Sequence, residues 1–96
     1  MNIIVRNQAQ IPNKYIRFAQ WKLRQLDKKF NQLLYTVIYI SKEGQYTPTY
    51  AATIKLGIPG NDMVIKTKSK NLNILWQNTF ESVKTRMRRL KKQRTN

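Results

Sequence analysis

Cysteine and histidine are both missing from this sequence, and acids are scarce, with four aspartates and glutamates among 96 residues. Without cysteine there is no disulfide, no thiol nucleophile and no thiolate metal site. Without histidine the commonest general base is gone as well. The acids Asp27, Glu43, Asp62 and Glu81 fall on four different predicted segments, so nothing in their spacing assembles a metal site. The three glycines form no phosphate-cradling loop. No metal, cofactor or small-molecule substrate is expected, and a binding protein is favoured over an enzyme. Long apolar runs are absent too. The longest, LLYTVIYI at 33–40, is far short of the roughly 20 residues that a membrane-spanning helix takes. The opening MNIIVRNQAQ has no apolar stretch of signal-peptide length. These absences set the expectation of a soluble, cytoplasmic protein in a reducing compartment.

What is abundant is positive charge. Nineteen lysines and arginines against four acids give a net charge of +15. Such a field attracts polyanions, either nucleic acid or an anionic membrane surface. Hydrophobic residues make up 41% of the chain, enough for a folded core. The length suits a single domain spanning 1–96, which buries roughly 60–70% of the surface its unfolded chain exposes. That supports one core but leaves little room for a deep catalytic cavity.

The pattern predicts six elements in the order β-α-β-β-β-α. NIIVR at 2–6 reads as a strand. Residues 12–30 read as a helix whose apolar positions Ile16, Ala19, Leu23, Leu26 and Phe30 alternate spacings of three and four. Pro12 near its start suits a position whose N–H is not needed. Residues 33–42 form a second strand, and KEGQYTPT a turn. In 49–58, Tyr50, Ala52, Ile54, Leu56 and Ile58 alternate onto one face; after the PGND turn, 63–70 puts Met63, Ile65 and Thr67 on one face and Lys66, Lys68 and Lys70 on the other. A last helix runs from about Leu72 to Lys92, with Asn71 as N-cap and apolar positions Leu72, Trp76, Phe80, Val83, Met87 and Leu90. Residues 93–96 are expected to fray. The predicted fold class is α+β: a two-layer sandwich in which both helices pack on one face of a four-stranded sheet. A helical crossover also allows the first two strands to be parallel.

Helical geometry sorts the cations into ridges. On the first helix, Lys14, Arg17, Trp21, Arg24 and Lys28 take the side away from the apolar stripe, while Lys22 and Lys29 flank it beside Phe18. On the last, Lys84, Arg88 and Lys91 share one flank, Arg86 and Arg89 take the other, and Lys92 points away from the core. If the helices lie side by side, the ridges merge into one electropositive surface. A wet helix face usually mixes signs, yet the last helix carries only Glu81. Like charges at i, i+4 such as Lys84/Arg88 destabilise a helix by a few tenths of a kcal/mol each. A bound polyanion relieves that repulsion. Membrane binding needs an apolar helix face open to lipid, and both stripes here are needed for the core, so nucleic acid is the expected partner. Trp21, within the basic stripe, suits either base stacking or partial burial. Phe18 reads as packing, Trp76 as core, and Tyr35, Tyr39 and Tyr46 as sheet packing.

Three stretches carry a family resemblance. The first helix ends in an apolar-x-x-apolar-x-x-x-Phe pattern, Leu23, Leu26 and Phe30, just before a β-rich strand. The third strand contains Ala52-Thr53-Ile54-Lys55-Leu56. The last helix has regular apolar turns and a basic tail, RMRRLKKQR at 86–94. In this element order the chain resembles the ribosome hibernation promoting factor family, also called ribosome-associated inhibitor A or sigma-54 modulation protein. It departs from the family where the last helix opens with NLNILWQ rather than an acidic-flanked run, in a longer IPGND turn, and in its higher basicity. The resemblance implies a hibernation factor that binds the small ribosomal subunit, alone or in the 70S ribosome. Basic residues of both helices would contact 16S rRNA phosphates and block the mRNA and tRNA sites in stationary phase or starvation. It carries rRNA-binding roles onto Lys22, Arg89 and Lys91; Lys28, Lys29, Lys84, Arg86, Arg88 and Lys92 join them from charge geometry. Ending at Asn96, the chain resembles the family's short form. The alternatives are a general double-stranded RNA or DNA binder, because the αβββα part of the order matches that module, a structural ribosomal or assembly protein, and lastly a small metal-dependent nuclease.

Overall fold

The computed structural model of the chain describes residues 1–31 and 33–94, the last four of these by their backbone alone. Six elements follow the expected order: β1 (Asn2–Asn7), α1 (Asn13–Phe30), β2 (Tyr35–Glu43), β3 (Thr49–Ile58), β4 (Asn61–Ser69) and α2 (Leu72–Arg94). The sheet order is β1-β2-β3-β4. β1 runs parallel to β2, which the α1 crossover permits, and the other pairs are antiparallel.

α1 buries all five residues of its predicted stripe, with Leu23 fully inaccessible. Facing them are the inward residues of the central strands, among them Ile38, Ile40, Ile54 and Leu56. Both helices therefore cover one face of the sheet, and one cluster of buried side chains joins the two layers. The stripe of α2 is wider than predicted. Leu75 and Thr79 are fully buried beside Trp76, Phe80, Val83 and Met87, whereas Leu72 and Leu90 are only partly covered. α2 must fill two contacts at once, and that takes a broad apolar stripe rather than a narrow seam. Thr79 faces β4, its hydroxyl 2.5 Å from that of Thr67, while Trp76 and Phe80 face α1.

The ends of the elements are set by local hydrogen bonding. Asn71 caps α2 as its sequence suggested, accepting from the Ile74 N–H at 3.1 Å. Asn31 ends α1 in the left-handed conformation, φ 51 and ψ 43. The second strand starts at Tyr35 rather than 33, because the preceding residues serve the connection. Leu33 is buried and its N–H donates to Asp27 Oδ1, while the Leu34 N–H donates to the Gly57 carbonyl. The side chain of Asn7 closes the β1–α1 loop, donating to the Ile11 carbonyl and accepting from its N–H. The expectation of a long IPGND turn is corrected. Ile58 and Asn61 are already paired, so Pro59 and Gly60 alone make the connection. Proline followed by glycine at φ +88 is the signature of a type II turn, and glycine meets its positive φ without strain. α2 also continues to Arg94, past the expected end at Lys92; for residues 95 and 96 the expectation of fraying falls outside the described residues.

Replacing Leu23 by alanine removes a side chain packed on every side. It should cost about 2–5 kcal/mol, read as a lower denaturation midpoint with helix and sheet signals lost together.

Candidate nucleic-acid interface

α1 and α2 lie side by side, and an open groove of about 560 Å³ runs between them. Its walls are aromatic. Phe18 meets Phe80 edge to face at 6.2 Å between centroids, and Phe80 meets Trp76 at 5.9 Å. The Trp76 indole N–H crosses the seam to donate to the Tyr15 carbonyl at 3.1 Å. Cations stand along the rim: Lys14 and Lys22 from α1, Lys84 from α2. Lys22 and Lys84 are half-buried, as lysines are when their alkyl stems run along apolar surface. Glu81 is the acid that lines this groove.

The predicted ridges merge only in part. Lys22 and Lys84 share the groove, and Arg88 is exposed one turn beyond Lys84. Lys28 and Lys29 are exposed in the last turn of α1, with the Lys29 ammonium 5.5 Å from the centre of the Phe30 ring. Arg86 and Arg89 lie on the opposite flank of α2, in a separate shallow depression of about 380 Å³ with Asn78, Ser82 and Thr85. Glu81 reaches both depressions. The side chains of Lys91 and Lys92 lie outside the described residues. Among the described residues, no carboxylate pairs within 4 Å with Lys22, Lys84, Arg86, Arg88 or Arg89; the ion pair at that distance is Lys55–Asp62 on the sheet.

The structure corrects the placement of Lys14 among the outward cations of α1. This lysine lines the groove with Phe18 and Lys22, its ammonium 5.3 Å from the centre of the Tyr15 ring. The i, i+4, i+8 spacing of Lys14, Phe18 and Lys22 would have revealed it. Trp21 is 55% exposed, with its ring centroid 6.1 Å from that of Phe18, so it is partly covered and still open to solvent on one side. Trp76 is core, as expected.

No protein-family model matches the sequence, and no curated protein matches it with significance. Solved structures do match. A ribosomal subunit interface protein from Coxiella burnetii superimposes with a TM-score of 0.79 at 13% identity, covering 95% of this chain and 98% of that one. The N-terminal domain of Thermus thermophilus Protein Y superimposes with a TM-score of 0.72 at 20% identity, covering 93% and 94%. The chain has the fold of a ribosomal subunit interface protein. The two-layer β-α-β-β-β-α sandwich expected from the sequence is thus the fold of these two solved structures.

Beyond the helices, among the described residues no three carboxylates cluster as metal ligands, and no helix is long and apolar enough to cross a membrane. On the uncovered sheet face, Tyr35 donates to Asp62 Oδ2 at 3.0 Å, and Asp62 also meets Lys55 at 3.7 Å. The hydrogen bond to Asp62 is the main reason the Tyr35 phenol is pushed above its usual pKa. The folded state holds this proton more tightly than the unfolded chain does. The resulting stability is present below the ordinary tyrosine pKa and is lost as pH rises through the raised value. In Asp62→Ala, ultraviolet titration of the phenolate should show Tyr35 ionising at lower pH than in the parent protein.

Proposed function

We propose that this chain is a non-enzymatic, ribosome-binding translation inhibitor of the hibernation-factor type. It docks on the small subunit through 16S rRNA phosphates and acts by occupying space that mRNA and tRNA need, in the cytoplasm of cells in stationary phase or starvation. The observation that carries this reading is the groove where α1 and α2 meet, with unneutralised lysines from both helices on its rim. It occurs on a fold shared with a ribosomal subunit interface protein. Phosphate contacts fix position without reading base sequence, and folded RNA is recognised largely by shape. A rigid pair of helices presenting cations at fixed spacing meets both conditions. Lys22, Lys84 and Arg88 are the central contacts, Lys28, Lys29, Lys91 and Lys92 extend them, and Arg86 and Arg89 serve a second stretch of backbone from the far flank of α2.

The protein should co-sediment with 30S and 70S particles at low salt. If about six phosphates are neutralised, affinity should fall on the order of a thousandfold between 50 and 200 mM salt. Lys22→Glu/Lys84→Glu/Arg88→Glu should abolish pelleting while circular dichroism stays unchanged. Continued pelleting of that variant would reject the assigned surface. Excess duplex RNA should not release the wild-type protein; release would mark a general duplex binder instead.

A further inference from the structure

The helices cover one face of the sheet and leave the other bare. On the bare face, strand register aligns two rows of side chains across all four strands. One row is Arg6–Tyr39–Thr53–Lys66, and the next is Ile4–Val37–Lys55–Val64. Tyr39 is 46% exposed near the middle of this surface, and Ile4 and Val64 are exposed to a similar degree at the two edges of their row. With strands about 4.8 Å apart, Arg6 stands one strand from Tyr39 on one side, and Lys66 stands two strands away on the other, about 10 Å off across Thr53. The acids of this face sit at its ends. Asp62 belongs to the row of Tyr35 and Gly57, and Glu43 pairs with Thr49 at the opposite limit of the β2–β3 ladder. Asp62 is engaged by Tyr35 and Lys55. The middle of the face is therefore cationic and apolar at once.

We infer that the uncovered sheet face is a second nucleic-acid site, which takes a single strand with a base stacked on Tyr39 and the flanking phosphates at Arg6 and Lys66. An exposed ring between cations recognises a base with its backbone charge. A duplex keeps its bases stacked inside, so a broad shallow sheet reaches only unpaired ones. The cationic excess disfavours a basic or neutral protein partner and favours a polyanion. This site lies opposite the helical groove and goes beyond the ribosome-docking reading, which involves none of its residues.

The test uses the full chain carrying Lys22→Glu/Lys84→Glu/Arg88→Glu, the substitutions expected to abolish docking through the helices, and a fluorescently labelled octameric uridine RNA at low salt. That background should still bind the oligomer. Adding Tyr39→Ala should weaken binding about 5- to 150-fold, the range for losing one stacked base, whereas Tyr39→Phe should retain it. Lys66→Glu should weaken binding and flatten its salt dependence. Unchanged affinity in Tyr39→Ala would overturn the inference. So would a Tyr39-dependent dimer in sedimentation equilibrium with no change in RNA affinity, since the face would then serve a second copy of the chain. Ribosome pelleting reports on the helices and oligomer binding on the sheet, so either reading can fail without the other.

Discussion

Trp76 is buried where α2 meets α1, and its indole N–H is satisfied by a carbonyl of the other helix. Around it, Phe80 and Phe18 continue the seam outward to solvent. Aromatic contacts of this kind contribute roughly 0.5–1.5 kcal/mol each beyond the area they bury. They also fix the angle and separation of the helices, which the sheet alone would leave adjustable. The cationic rim, the groove beneath it and the exposed face of α1 all take their positions from this seam. A loosened seam would keep the charges but lose their spacing.

The charges work against the fold that carries them. Lys84 and Arg88 repel along α2, and Lys22 and Lys84 repel across the groove, with Glu81 the acid beside them. Each repulsion costs a few tenths of a kcal/mol at exposed sites and is screened by salt within about 10 Å at 0.1 M. The core below, drawn from both helices and the inward faces of the strands, is large enough to carry that cost. Stability and charge are thus separated in space: apolar side chains meet between the layers, and cations stand on their outer surfaces.

How much of this was legible depends on whether a residue's role is set by its own element or by a neighbour. The α1 stripe, the alternation of β3 and β4 and the Asn71 cap came directly from spacing, because period and capping chemistry are local. Leu75 and Thr79 did not, since their burial depends on where β4 lies. Lys14 was legible in its spacing from Phe18 and Lys22 but was grouped with the outward cations. The tight Pro59–Gly60 turn was masked by polar neighbours that turned out to belong to the strands. Tyr39 read as packing because a sheet residue is covered or bare according to the layer above it, and strand alternation is the same in either case.

Composition and periodicity by themselves determined a basic, two-helix, four-strand α+β chain without thiol or imidazole chemistry, because charge count and apolar period are properties of the string. Only the tertiary structure decided that Lys22 and Lys84 share one groove while Arg86 and Arg89 face another, and that one side of the sheet stays open. Those outcomes follow from which helix flank meets which neighbour. That choice is made by shape complementarity between elements distant in sequence, and no single element records it.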